Sequence, residues 1–197
     1  MRKIGIMGGT FDPIHIGHLL AAETARDQCG LDEVWFIPTA GSPLKDNAQG
    51  ASAKERYEMV AEAIKSNDCF RVMDIELKRG GVSYSYDTVT QLQALYPDCA
   101  FSYIIGSDRI NDLPKWNRID QLACIVHFIG LERPSDPMDL ESLPAFLRDR
   151  LHITQMPPIG ISSTQLRQKL ALGRTVRYSL PDEVYQYIRG HGLYGSQ

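Results

Sequence analysis

The chain has 197 residues, a net charge of −3 at pH 7, and ordinary hydrophobic (43%) and charged (23%) fractions. This length suits one α/β domain, so we expect residues 1–197 to form a single domain. The charge excludes a nucleic-acid binder with a broad basic surface, but it allows a nucleotide site with a few cations in a cleft. The scattered cysteines and the lack of a long apolar span predict a cytoplasmic protein without a membrane or nucleic-acid partner.

A glycine-rich turn links the first predicted strand to the first predicted helix. The strand is the apolar run Ile4–Met7, and the helix opens at Gly17-His18 and is expected to end at Gly30. Between them the sequence reads Gly-Gly-Thr-Phe-Asp-Pro-Ile-His-Ile, starting at Gly8. In α/β sheets a turn of this kind, at the carboxyl end of a strand, is where ligands bind.

The same turn carries residue types that suit phosphate. Gly8 and Gly9 let the backbone approach a ligand closely, and the start of a helix favours an anion. His15 and His18 are three residues apart, so their imidazoles can face one point. The turn is neither a Walker loop nor a dinucleotide fingerprint, because it lacks Gly-Lys-Ser/Thr and the third glycine. These residues therefore predict a phosphate site of another kind.

Strands and helices alternate along the rest of the chain. The further predicted strands are Glu33–Pro38, Phe70–Asp74, Phe101–Ile105, Ile125–Leu131 and a short one at Ile153. The further predicted helices are Glu55–Lys65 behind a capping box at Ser52, a helix from Ser83 or Ser85 to Tyr96, a short one after Pro134, one from Ile161, and Pro181–Arg189. This alternation predicts a single doubly wound, Rossmann-like parallel sheet of about five or six strands with helices on both faces.

Two further segments carry cations that suit phosphate. The long loop Thr39–Ala51 contains one cation, Lys45, and loops of this length at the edge of a sheet are more often functional than idle. Ser162, Ser163 and Thr164 offer three hydroxyls at a helix start. Such hydroxyls also serve as ordinary N-caps, but the guanidinium of Arg167 one turn later favours a second polyphosphate cradle.

Five segments together resemble the bacterial nicotinate mononucleotide adenylyltransferases of the nucleotidyltransferase superfamily. They are Gly-Gly-Thr-Phe-Asp-Pro-x-His-x-Gly-His from Gly8, Ser-Tyr-Ser-Tyr-Asp-Thr from Ser83, Gly-Ser-Asp…Leu-Pro-Lys-Trp from Gly106, Ile-Ser-Ser-Thr-x-Leu-Arg from Ile161, and Val-Arg-Tyr-x-Leu-Pro-Asp…Tyr-Ile-x-x-x-Gly-Leu-Tyr from Val176. The resemblance spans nearly the whole chain except residues 135–150. It implies transfer of AMP from ATP to nicotinate mononucleotide, with Mg²⁺ carried by ATP and no metal ligand from the protein.

The resemblance also implies a role for each matching position. Catalytic roles are implied for His15, His18, Lys45 and Arg167. Contacts to ATP and its phosphates are implied for Gly8, Gly9, Thr10, Phe11, Gly106, Asp108, Ile161, Ser162, Ser163 and Thr164. Arg133, which follows the end of a predicted strand, is expected to contact the nucleotide as well. Contacts to the nicotinate nucleotide are implied for Tyr84, Ser85 and Trp116. The attacking phosphate monoester is largely dianionic at neutral pH, so no general base is required.

The segment Ser83–Thr88 is a helix start after a Gly-Gly turn, and the resemblance places it beside the pyridine ring. Its backbone N–H groups can donate to a carboxylate, which favours nicotinate over nicotinamide mononucleotide. The carboxylate of Asp87 would repel that ligand if it faced the ring. We therefore expect Asp87 to turn toward the N–H groups of its own helix.

Other functions remain open at this point. A phosphopantetheine adenylyltransferase or a cytidylyltransferase would share both phosphate motifs, but is expected to lack the Ser83–Thr88 and Trp116 segments. A non-catalytic nucleotide sensor on the same fold is expected to have lost one of the phosphate cations. The sequence leaves room for a homo-oligomer.

Overall fold

A computed structural model of the chain describes residues 1–40, 50–132 and 139–196. Its strands are β1 (Arg2–Gly9), β2 (Glu33–Pro38), β3 (Phe70–Val72), β4 (Cys99–Gly106), β5 (His127–Glu132) and β6 (Leu151–Gln155). They form one sheet in the order β3-β2-β1-β4-β5-β6, and β1–β4, β4–β5 and β5–β6 pair in parallel. This is the strand order of doubly wound folds, which bind ligands where the order reverses, at β1 and β4. The predicted fold class is confirmed.

The described ranges contain nine α-helices. They are α1 (Ile16–Gln28), α2 (Ala53–Ile64), α3 (Ile75–Arg79), α4 (Ser85–Leu95), α5 (Ser107–Ile110), α6 (Ile119–Ile125), α7 (Ala145–Arg148), α8 (Ser163–Ala171) and α9 (Asp182–His191). Short 3-10 helices cover Leu113–Lys115 and Leu193–Gly195. Within these ranges, no helix has both the length and the apolar character needed to cross a membrane.

The chain divides into two compact units. The first comprises Met1–Gly8, Ala21–Trp35 and Ser83–Pro158. Its core is built from the strands β1, β4 and β5, whose inward side chains are apolar and buried. The second comprises Gly9–Leu20, Phe36–Val82 and Ile159–Gln197, and its core includes buried side chains of α2, α8 and α9. A single domain over the whole chain stays a prediction.

Several predicted boundaries have the expected local chemistry. Helix α1 ends before Gly30, whose φ of 60° places it in the left-handed region that glycine favours. Leu31 N–H then bonds to the carbonyl of Arg26 at 2.9 Å, as in a Schellman ending. Helix α2 begins with the predicted capping box between Ser52 and Glu55. Hydrogen bonds from the side chain and backbone of Ser52 lower the pKa of the Glu55 carboxyl.

The predicted start of the fifth strand is wrong. Residues Ile119–Ile125 form α6, and β5 begins only at His127. The helix buries Ile119, Leu122 and Ala123 at helical spacing. A continuous apolar run fits a buried helix as well as a buried strand, so hydrophobicity alone could not locate the boundary.

Two predictions around the third strand are also corrected. Strand β3 ends at Val72, two residues earlier than predicted, and the unpredicted helix α3 follows it. The N-cap of α4 is Tyr84, without a side-chain capping bond. The hydroxyl of the half-buried Ser85 instead donates a hydrogen bond to the phenol oxygen of Tyr103 on β4, which lies within its reach.

Candidate active site

The start of α1 brings two of the predicted catalytic residues together. The rings of His15 and His18 stack with their centroids 3.8 Å apart and their planes at 24°. The backbone N–H of His15 donates to Nδ1 of His18 at 3.2 Å, so the neutral His18 ring carries its proton on Nε2. A Cβ on Gly17 would stand 3.0 Å from the His15 ring. Glycine at this position therefore makes room for the stacked pair.

Phe11 lies behind His18 within the second unit. It is 3% exposed, and its ring meets the His18 imidazole edge-on at 5.1 Å and the ring of Phe36 at 5.8 Å. A Cβ on Gly9 would come within 3.0 Å of the Phe11 ring. The structure thus packs the Phe11 ring against His18 and places Gly9 beside that ring. The predicted contacts of Phe11 and Gly9 with a nucleotide stay predictions.

Arg167 reaches from α8 to the turn that follows β1. Its Nη1 donates to the backbone carbonyl of Asp12 at 2.7 Å, and its Nη2 donates to Oγ1 of Thr164 at 3.5 Å. Nη1 also lies 3.9 Å from Oδ2 of Asp12. The second unit thus places the guanidinium of Arg167 against the turn that leads into the histidine pair. The second phosphate cradle expected at the start of α8 stays a prediction.

The remaining hydroxyls at the start of α8 have separate tasks. Ser162 is the N-cap, and its side chain accepts the backbone N–H of Gln165 at 3.3 Å, so ordinary capping applies to this residue. Ser163 donates to the carbonyl of Pro13 at 2.9 Å, which ties α8 to the turn. Ile161 is half-buried just before the helix.

Sequence reasoning missed Arg56, a charged side chain buried in the second unit. It is 6% exposed and donates to the carbonyls of Thr10 and Thr39 at 2.7 and 2.8 Å. Burial lowers the pKa of its guanidinium, and the nearby Asp12 carboxylate opposes that shift. Arg56 lies one turn before the buried Met59 on the inward face of α2. The sequence feature that could have identified Arg56 is a cation on the otherwise apolar face of a predicted helix.

An aromatic cluster in the first unit contains the residues predicted for the nicotinate nucleotide. The Trp116 ring meets the Tyr103 ring edge-on at 5.4 Å, and Ser85 donates to the Tyr103 hydroxyl at 3.2 Å. Tyr84 precedes α4 with 42% of its surface exposed. The structure therefore brings Trp116 and Ser85 together on Tyr103, a residue of β4 that the sequence did not single out.

The residues predicted to contact the ribose and base of the nucleotide lie at the end of β4 and the start of α5 in the first unit. Gly106 is the N-cap of α5, and Asp108 is exposed in its first turn.

The side chain of Asp87 was expected to turn toward the N–H groups of its own helix. In the structure its Oδ1 instead lies 3.8 Å from Nη1 of Arg118. Arg118 also covers the ring of Tyr86, 5.3 Å from its centroid. The carboxylate of Asp87 therefore has a cation beside it, in a pair that solvent screens.

Two predicted site residues, Lys45 and Arg133, lie outside the described residues. Their roles remain predictions from the sequence.

Gly8 offers a direct test of the aromatic cluster. A Cβ on Gly8 would stand 2.4 Å from the Tyr103 hydroxyl oxygen but 3.4 Å from the carbon that bears it. We expect Gly8→Ala to lower the free energy of unfolding by about 1–3 kcal/mol through overpacking. In a Tyr103→Phe background the same substitution should cost little, since the clashing oxygen is gone. Urea unfolding of the four proteins measures this, and an equal cost in both backgrounds would contradict the packing described.

A family model described as cytidylyltransferase-like matches residues 6–169. This range contains both histidines, the part of α8 that includes Arg167, and the aromatic cluster. The chain therefore belongs to the cytidylyltransferase-like family.

Curated relatives are similar over their full lengths. A protein of Oceanobacillus iheyensis named "Probable nicotinate-nucleotide adenylyltransferase" is 48% identical over 99% of this chain and 98% of that protein. One of the same name from Desulfitobacterium hafniense (strain Y51) is 43% identical over 98% of this chain and 96% of that protein. Within its class, the chain is therefore grouped with the nicotinate-nucleotide adenylyltransferases, and the resemblance inferred from the sequence is confirmed.

Solved structures support the fold independently. A nicotinic acid mononucleotide adenylyltransferase of Plasmodium falciparum, complexed with APC in one structure and with NaAD in another, superposes with TM-scores of 0.81 and 0.82. The match covers 100% of this chain and 99% of that chain at 21% identity. Similarity at this level of identity supports the fold.

Proposed function

We propose that the protein transfers the AMP part of ATP to nicotinate mononucleotide, which forms nicotinate adenine dinucleotide and pyrophosphate for NAD biosynthesis. The observation that carries this proposal is the stacked His15–His18 pair at the start of α1, with Arg167 anchored to the turn that leads into it. The full-length relatives with this activity in their names support the choice of substrates.

The reaction needs positioning and charge neutralisation more than proton transfer. A phosphate oxygen of nicotinate mononucleotide attacks the α-phosphorus of ATP, and the bond between that phosphorus and the bridging oxygen to the β-phosphate breaks. The attacking monoester is already largely dianionic. Imidazole donors, the guanidinium of Arg167 and the N–H groups at the start of α1 suit the charge that develops on the α-phosphate and on pyrophosphate. A role of this kind for Lys45 is part of the proposal.

Mg²⁺ is proposed to enter with the phosphates of ATP. Within the described ranges, no cluster of three His, Cys, Asp or Glu residues could hold a metal ion. The carboxylate of Asp12 beside Arg167 already accepts hydrogen bonds from Tyr194 and Ala51, so the phosphate oxygens of ATP would be the ligands of the ion. When bound, the ion supplies further neutralisation of phosphate charge.

The aromatic cluster is proposed to bind the nicotinate ring. Trp116 offers an aromatic face, and the start of α4 offers backbone N–H groups that donate to a carboxylate. The guanidinium of Arg118 beside Asp87 reduces the repulsion that this carboxylate would exert on the ligand. Asp108 and Gly106, at the end of β4, are proposed to lie against the nucleotide's ribose and base. The free cysteines suit the reducing cytoplasm, where we place the reaction.

We expect nicotinate mononucleotide to be preferred over nicotinamide mononucleotide by about 10- to 10³-fold in kcat/KM. A carboxamide leaves one buried polar group unsatisfied, at a cost of roughly 1–3 kcal/mol, and loses a charge interaction of about 0.3–1 kcal/mol. Steady-state kinetics with both acceptors at equal ATP and Mg²⁺ measure the ratio. Equal efficiency, or preference for the amide, would contradict this placement of the ring.

A matched pair of variants tests the part played by Asp87. Arg118→Ala leaves its carboxylate unneutralised and should lower the preference roughly 2- to 5-fold. Asp87→Ala combined with Arg118→Ala should restore it. Unchanged preference in Arg118→Ala would place Asp87 away from the ligand.

The alternatives are separated by a single assay of pyrophosphate release. ATP is supplied with nicotinate mononucleotide, nicotinamide mononucleotide or phosphopantetheine, and CTP with a phosphorylated alcohol. We expect release with nicotinate mononucleotide to be the fastest. Faster release with phosphopantetheine or with CTP would identify another nucleotidyltransferase, and binding of ATP without release for any acceptor would identify a sensor.

A further inference from the structure

The last turn of the chain carries a tyrosine in an uncommon backbone conformation. Tyr194, in the 3-10 helix Leu193–Gly195, has a φ of 57°, a left-handed value that bulky residues adopt only where their surroundings enforce it. A Cβ on Gly195 would stand 3.6 Å from the Cα of Ala171, so the turn packs on α8. The turn is thus fixed on the helix that carries Arg167.

The hydroxyl of Tyr194 is bonded to a buried carboxylate. It donates to Oδ1 of Asp12 at 2.6 Å, and the same oxygen accepts the backbone N–H of Ala51 at 3.0 Å. Asp12 is 3% exposed, and a buried carboxylate is costly without such partners. Burial and this hydrogen bond raise the pKa of Tyr194 well above its usual range. The hydroxyl therefore remains a donor at neutral pH.

Asp12 links this hydroxyl to the guanidinium of Arg167. Its carbonyl accepts Nη1 of Arg167 at 2.7 Å, and its Oδ2 lies 3.9 Å from the same nitrogen. The carbonyl oxygen and Oδ2 both belong to Asp12. A change in the position of the Asp12 side chain therefore alters the surroundings of the Arg167 guanidinium. The opposite side of the turn is held by Arg56, which bonds the carbonyl of Thr10.

We propose that Tyr194 is a positioning residue of the phosphate cluster, whose hydroxyl sets the place of the Arg167 guanidinium through Asp12. This inference rests on the proposed function, in which Arg167 contacts the phosphates of ATP. The hydrogen bond between Tyr194 and Asp12 joins residues 182 positions apart. A residue of the 3-10 helix Leu193–Gly195 thus contributes to the cluster that follows β1.

Tyr194→Phe removes only the hydroxyl. We expect kcat of adenylyl transfer to fall roughly 10- to 100-fold, because a displacement of about 1 Å at a reacting group costs on the order of 10²-fold. KM for nicotinate mononucleotide should be unchanged, since the aromatic cluster is untouched. The melting temperature should fall by roughly 3–10 °C with the loss of a hydrogen bond to a carboxylate.

Tyr187 supplies the matched control. Its hydroxyl also donates to a carboxylate, that of Glu58 on α2, but neither residue contacts the turn after β1 through a described bond. Tyr187→Phe should lower the melting temperature by a similar amount and leave kcat unchanged. The proposal is overturned if Tyr194→Phe retains the turnover of the unmodified protein, or if both variants lose turnover equally.

A double-mutant comparison separates positioning from general stability. An Arg167→Lys background lacks the planar guanidinium that Tyr194 is proposed to position. Tyr194→Phe should therefore have little further effect on kcat in that background. A hydroxyl that only stabilises the fold would reduce turnover by the same factor in both backgrounds. That additive outcome contradicts the proposal.

Failure of the proposed function gives a different result from failure of this inference. If the unmodified protein formed no dinucleotide, its affinity for ATP would become the readout, measured by calorimetric titration. Tyr194→Phe should then bind ATP about 10-fold more weakly than Tyr187→Phe, as expected for disturbed charged hydrogen bonds. Equal affinities overturn the positioning role alone.

Discussion

His18→Ala should lower kcat about 10²- to 10³-fold, equivalent to roughly 3–4 kcal/mol, while the fold is retained. The Nδ1 atom of His18 accepts the backbone N–H of His15 at 3.2 Å, so the neutral ring donates from Nε2. Alanine removes this donor together with the ring that stacks on His15. A charge-stabilising donor matters most when charge moves onto pyrophosphate, so the loss should appear in kcat more than in KM.

His152 offers a control for this variant. It is exposed on β6 in the first unit, and His152→Ala should retain the turnover of the unmodified protein. Thermal unfolding of both variants confirms that the fold is kept. If His18→Ala also kept near-normal turnover, His18 would be reduced to a structural residue that accepts one backbone N–H.

Arg167→Lys should impair turnover almost as much as Arg167→Ala, with both variants reduced about 10²- to 10³-fold. The guanidinium uses two nitrogens for two partners, the carbonyl of Asp12 at 2.7 Å and the hydroxyl of Thr164 at 3.5 Å. A lysine ammonium keeps the charge but cannot reproduce this planar fork. Steady-state kinetics of the two variants measure the difference between them.

The control for Arg167 is Arg174, an exposed arginine just beyond α8. Arg174→Lys should leave turnover unchanged. Should Arg167→Lys recover most of the activity that Arg167→Ala loses, only the charge at this position would matter. The inference about Tyr194 would then lose its basis as well.

The sequence predicted most of the features whose causes are local. Gly30 ends α1 because its φ of 60° favours glycine, and Ser52 and Glu55 cap α2 because their side chains reach neighbouring N–H groups. The pairing of His15 with His18 also follows from their spacing at a helix start. Each of these depends on residues only a few positions apart, so a single sequence is sufficient to predict them.

Features that depend on contacts between distant residues were not predicted. Tyr194 bonds Asp12 across 182 positions, and nothing in the pattern around Tyr194 indicates this partner. Arg56 has two carbonyl partners supplied by other segments of the second unit. Tyr103 was not predicted as a site residue, because its contacts with Trp116 and Ser85 form only in the folded sheet.

Errors in helix and strand boundaries have a related cause. Apolar residues flank the transition from α6 into β5, with Ile125 and Val126 before His127, and Phe128 and Ile129 after it, so the hydrophobic pattern changes little there. Packing against neighbouring elements, rather than local preference, locates the transition. By contrast, the end of α1 could be predicted, because Gly30 adopts a positive φ that favours glycine.

Transfer of the ATP α-phosphate to nicotinate mononucleotide is the most direct measurement of the proposed function. The protein is incubated with ATP labelled at the α-phosphorus, Mg²⁺ and nicotinate mononucleotide, and the labelled products are separated. We predict that the label appears in nicotinate adenine dinucleotide in a one-to-one ratio with released pyrophosphate, and that His18→Ala slows both products equally. Label that stays in ATP, or that appears only in free AMP, would contradict adenylyl transfer by this protein.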